Sequence, residues 1–98
     1  MSRQVIVTRH EGTVQWLRQQ GIDTDYVITY ISEESARGKH IIGNVPIWVA
    51  AKADMVSLIY FESKPNFHKY KFLTPEYMDA YGAHLRTFKV EEVEWEGQ

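Results

Sequence analysis

Apolar residues along this chain come in short bursts, and their spacing changes from one stretch to the next. Val5-Ile6-Val7, inside Arg3 to Thr8, is a β-branched run of the kind that forms a strand buried on both faces. Arg9 to Gly12 reads as a turn. Val14, Leu17 and Arg18 then recur at helical spacing, with Trp16 on the flank and Gly21 as the stop. Tyr26 to Ile31 predicts a second strand, residues 32–39 a polar connection turning at Gly38, and His40 to Val45 a third strand. Pro46 stands where the first turn of a helix tolerates a missing N–H, and Ile47, Ala50, Ala51 and Met55 suit a short helix packed closely on a sheet. Val56 to Phe61 predicts a fourth strand. Thr74-Pro75 is a cap followed by proline and opens a helix that Gly82 ends, after which His84 to Trp95 alternates as a last strand. Residues 62–73 are the least regular stretch, and so long a connection in so small a domain suggests a functional loop.

The order β-α-β-β-α-β-α-β, with continuous apolar strands early on, points to the α/β class: helices sandwiching a mainly parallel sheet. The 98 residues fit one domain, 1–98, with 91–98 as an acidic C-terminal end. A hydrophobic content of 44% with 13% aromatic residues argues for a packed core and against disorder. The absence of cysteine removes disulfide frameworks, Cys-based zinc and iron–sulfur centres, and thiol nucleophiles. No apolar run approaches the ~20 residues of a bilayer span, and no basic-then-apolar segment opens the chain, so a soluble cytoplasmic protein with no membrane partner is expected.

Charge refines this picture. Glu91, Glu92, Glu94 and Glu96 crowd the acidic end, leaving residues 1–90 with 11 Lys and Arg against 9 Asp and Glu. An excess of that size is too weak for a protein that coats long nucleic acid, yet it is compatible with a small anionic ligand held in one basic pocket.

Ligands of open α/β sheets bind beyond the carboxyl ends of the strands. Two strand ends stand out: Thr8-Arg9-His10-Glu11-Gly12 after the first strand, and Gly43-Asn44-Val45-Pro46 after the third. Each offers backbone N–H groups at a helix N-terminus, which favours phosphate. Arg9 can make two parallel hydrogen bonds to phosphate oxygens, and the His10 imidazole can move a proton. The alternative for both is an ordinary solvated turn. Gly43 permits close backbone approach and Asn44 can bond a phosphate or a base edge; the alternative there is a turn with a helix-starting proline. Neither stretch is a GxGxxG or a P-loop. In the 62–73 loop, Lys64, His68, Lys69 and Lys71 interleave with Phe67, Tyr70 and Phe72, a pattern that suits phosphates and base faces, or equally a β-like segment with its aromatics turned inward. Trp16 and Trp48 fit a core or a subunit interface. His10, His40, His68 and His84 lack ligand spacing and no nucleophile elbow is present, so no metal site and no cofactor are expected.

Val5-Ile-Val-Thr-Arg-His10, Val14-Gln-Trp-Leu-Arg18 and Gly21-Ile22 resemble the opening of a small family encoded beside type III CRISPR systems, the Csx-sixteen family. Ile42-Gly-Asn-Val-Pro46 followed by Ala50-Ala51, then Leu73 to Leu85 with Gly82-Ala83, continue the resemblance in the same order over roughly residues 4–90. Two departures stand out. The family pattern has a Gly-Thr-Leu-Pro-like segment where this chain has Gly43-Asn44-Val45-Pro46, and an Arg-Gly-rich stretch where it has Phe67-His-Lys-Tyr-Lys71.

The resemblance implies a ring nuclease, an enzyme that binds and opens cyclic tetra-adenylate and so switches off type III CRISPR signalling. It further implies a compact Rossmann-like domain acting as a homodimer. On that reading, chemistry suggests the roles. Arg9 and the N–H groups of residues 10–12, hence of Glu11 and Gly12, hold the scissile phosphate, and His10 moves the proton. Thr8, Gly43 and Asn44 position phosphate or ribose, and Lys69 and Lys71 close over the ring. The expected reaction is metal-independent, with a ribose 2′-OH as nucleophile and linear products ending in 2′,3′-cyclic phosphate. The alternative is a non-catalytic module that binds or sequesters the same ligand.

Overall fold

The computed structural model describes residues 3–63 and 74–97. Among them the elements follow as β1 (Arg3–Val7), α1 (Glu11–Gln19), β2 (Val27–Ile28), α2 (Glu33–Ala36), β3 (Lys39–Ile42), α3 (Ile47–Ala50), β4 (Met55–Phe61), α4 (Pro75–Ala80) and β5 (Ala83–Phe88). The strands form one sheet in the order β2-β1-β3-β4-β5. β1 runs parallel to β2 and to β3, β3 runs parallel to β4, and only the β4–β5 pair is antiparallel.

Side chains alternate across a strand, so the apolar runs feed two cores at once. Val5, Val7, Ile41 and Val56 join Ile31, Ala36, Val49, Ala50 and Ala53 on one face, which places α2 and α3 there. Ile6 and Ile42 join Trp16, Leu17 and Met78 on the other, beneath α1 and α4. Burying each of the Val, Ile, Leu and Met side chains among them contributes about 1.5–3 kcal/mol. The indole Nε1 of Trp16 donates to Asp79 Oδ1 at 2.9 Å and ties α1 to α4 over the second core. The result is a Rossmann-like α/β sandwich whose sheet is mostly parallel.

Several boundaries differ from those read in the sequence. The second strand is Val27–Ile28 rather than Tyr26 to Ile31, because Ile31 leaves the sheet to enter the first core. The polar connection 32–39 contains α2, capped by Ser32, whose Oγ accepts the Ser35 N–H at 3.1 Å. The third strand ends at Ile42, since Gly43 takes a φ of +137° that no strand adopts. The helix after Pro46 ends at Ala50, and Met55 already belongs to β4. The last strand stops at Phe88, and from Lys89 to Trp95 the chain has no regular structure. Gly21 does follow α1 as expected, in the left-handed region at φ +92°, with its N–H bonded to the Arg18 carbonyl. Lys64, Phe67, His68, Lys69, Tyr70, Lys71 and Phe72 lie outside the described residues.

Candidate functional site

β1 and β3 lie side by side although α1, β2 and α2 separate them in the chain, so the connections leave in opposite directions from this one gap. That reversal opens a crevice at the carboxyl ends of the two strands. Both turns singled out in the sequence meet here. The register sets Ile6 opposite Ile42, and one residue further Gly43 packs on the backbone of Val7. A Cβ at Gly43 would fall well inside 3.0 Å of the Val7 carbonyl oxygen. Only glycine combines this contact with its positive φ. The Gly43 N–H donates to the Ser57 carbonyl at 2.9 Å, which fixes the loop to β4 as well.

The Thr8–Gly12 turn is held from both sides. The Thr8 N–H donates to the Ile28 carbonyl at 3.0 Å, and Thr8 Oγ1 accepts the His10 N–H at 3.2 Å. His10 is the N-cap of α1 with extended backbone, and its carbonyl accepts from the N–H groups of Thr13 and Val14. Its ring does not cap the helix. The N–H groups of Glu11 and Gly12 precede any helical carbonyl and are left for an outside acceptor. Arg9 and His10 are exposed, as is Glu11, whereas Thr8 and Gly12 are half-buried. The Glu11 carboxylate favours the helix dipole, but it also opposes an anion on the same N–H groups. It therefore suits a hydroxyl donor better than a phosphate. Across the crevice Asn44 is exposed, Val45 packs on the first core, and Pro46 is the N-cap of α3.

A polar chain across the sheet had no local signature among the residues that form it. His40 Nε2 lies 2.6 Å from Ser57 Oγ, which lies 2.7 Å from Thr87 Oγ1, linking β3, β4 and β5. Ser57 is buried, and these two contacts satisfy its hydroxyl. Burial pushes the His40 pKa below its ordinary 6.5, so the neutral imidazole is the form that fits. His40 is the second residue of β3 and therefore stands toward the strand end opposite the crevice. Among the described residues no three of His, Asp and Glu gather as a metal-binding group, and no helix is long and apolar enough to cross a membrane.

Residues 5–91 match the family described as "Putative CRISPR-associated protein (Cas_VVA1548)". The chain belongs to that family. The Cas_VVA1548 match takes in both crevice turns and every strand but the first two residues of β1, and it ends at Glu91, the first acid of the C-terminal end. No curated protein and no solved structure matches the chain.

Proposed function

We propose that this protein is a ring nuclease, a metal-independent phosphodiesterase that binds cyclic tetra-adenylate and opens it. The observation that carries the reading is the meeting of the Thr8–Gly12 turn with the Gly43–Asn44 loop at the reversal of strand order, inside a CRISPR-associated family. The Thr8–Gly12 turn supplies an exposed guanidinium, an exposed imidazole and the first two N–H groups of α1. Each ribose of the ring carries its own nucleophile, a 2′-OH beside a phosphodiester, so no water has to be activated. The protein has to turn that hydroxyl in line with the leaving 5′-oxygen and neutralise the charge that grows on the non-bridging oxygens. Arg9 does the second, its charge outweighing the Glu11 carboxylate so that the N–H groups of Glu11 and Gly12 can donate to the same oxygens. That carboxylate accepts from a ribose hydroxyl. His10 protonates the departing 5′-oxygen or takes the 2′-OH proton, and Thr8 and Asn44 orient phosphate and ribose. Linear fragments ending in 2′,3′-cyclic phosphate follow. Two protomers about a two-fold axis present the same crevice to each half of the ring.

One observation favours a sequestering module instead: among the described residues nothing hydrogen-bonds the His10 ring, although catalytic imidazoles are commonly oriented by a second group. Radiolabelled cyclic tetra-adenylate incubated with the protein in excess EDTA separates the readings. Linear products support the nuclease, a retained but intact ring supports sequestration, and indifference removes both. A strict requirement for magnesium or manganese would overturn the internal-nucleophile mechanism.

A further inference from the structure

A cleft of about 410 Å³ opens beneath the β2 edge, on the face of the sheet that carries α2. Its size is within the range of small-molecule sites, roughly 300–1,000 Å³. Tyr26, Ile28 and Tyr30 line it from the β2 stretch, Ser32 and Ser35 from the start of α2, and Lys39 from the first position of β3. Tyr26 and Tyr30 line the cleft together with Ile28, which packs on the first core. β2 is only two residues long, and both tyrosines remain open to solvent, Tyr30 at 75% and Tyr26 at 46%. Ser32 Oγ accepts the Ser35 N–H, and its own proton remains available to donate.

Two aromatic rings, a line of hydroxyls and one ammonium group in a half-open trough fit a flat heterocycle joined to a sugar and a phosphate. Base faces stack on aromatic side chains, and lysine meets phosphate as a point charge. A lipid tail would find too many polar groups here. The position agrees: the Ile28 carbonyl holds the Thr8 N–H at 3.0 Å, so the Tyr30 end of the cleft adjoins the crevice turn.

We propose that this cleft is a nucleotide subsite, with a purine base against Tyr30 and Tyr26, ribose hydroxyls at Ser32 and Ser35, and a phosphate drawn to Lys39. The proposal rests on the ring-nuclease reading only in taking the base to be adenine. The test is amide NMR of the isotope-labelled full chain titrated with adenosine monophosphate, with orthophosphate, and with cyclic tetra-adenylate. Adenosine monophosphate is expected to shift Tyr26, Ile28, Tyr30 and Ser35 saturably. Tyr30→Ala is expected to weaken that binding about fivefold or more, whereas Tyr30→Phe retains it. No shift in the cleft, equal shifts with orthophosphate alone, or unchanged affinity in Tyr30→Ala would overturn the subsite. Nucleotide bound in the cleft while the cyclic compound is ignored would support the subsite and remove the ring reading. Ring cleavage with the cleft resonances unmoved would do the reverse.

Discussion

Arg9 and His10 project from a turn whose backbone is anchored by Thr8 on one side and by the first turn of α1 on the other. Either side chain can therefore be removed without moving the turn. Arg9→Ala is expected to lower both affinity and rate, because a phosphate is held in ground and transition states alike. His10→Ala is expected to leave binding nearly intact while slowing single-turnover cleavage by about 10²-fold or more, as measured under enzyme excess. Full activity in the His10 variant would return that residue to a structural turn. Gly43→Ala acts differently, since the new methyl has to displace the Val7 carbonyl at a positive φ. A loss of about 1–3 kcal/mol or more in urea unfolding is expected, and an unchanged midpoint would contradict the close packing of the two strand ends. Thr8 to Gly12 and Gly43-Asn44 were legible in the sequence because each follows an apolar run directly. Their meeting was not legible, since it depends on strand order, which no local pattern encodes.

At the scale of elements, the His40–Ser57–Thr87 chain couples three strands to pH. The folded protein holds the His40 pKa below 6.5, so between that lowered value and 6.5 the unfolded chain binds more protons. Stability from this group is complete above about pH 6.5 and declines as the pH falls below it. Urea midpoints of the wild type and His40→Gln between pH 7.5 and 5.5 are expected to converge toward acid, and parallel curves would show that His40 does not titrate in the fold. The sequence marked where the larger elements lie and overlooked the smallest. α2 has four residues, too few for a periodicity, and its only signs were Ser32 and the acids Glu33 and Glu34 in the first turn. β5 reads too long in the sequence because Val93 and Trp95 continue an alternation, yet both are exposed in the structure, at 79% and 70%. Alternation describes a strand's faces, but a strand also needs a neighbour to pair with.

For the whole molecule, one crevice at one end of a single sheet cannot enclose a ring of four nucleotides, whereas two crevices facing across an axis can. Light scattering is expected to give a dimer, and calorimetry one cyclic tetra-adenylate per dimer. A monomer with ligand bound at micromolar concentration would contradict this arrangement. The shortness of β2 has a separate consequence for solubility. Open-ended polymerisation through sheet edges requires each molecule to add one edge to the opposite edge of the next, so both edges must be long enough to template a strand. Among the described residues β2 forms one margin of the sheet, and it offers a partner strand only Val27 and Ile28. Fibre growth by edge addition would end at that margin, so the same short strand that opens a cleft on its face also blunts a route to aggregation.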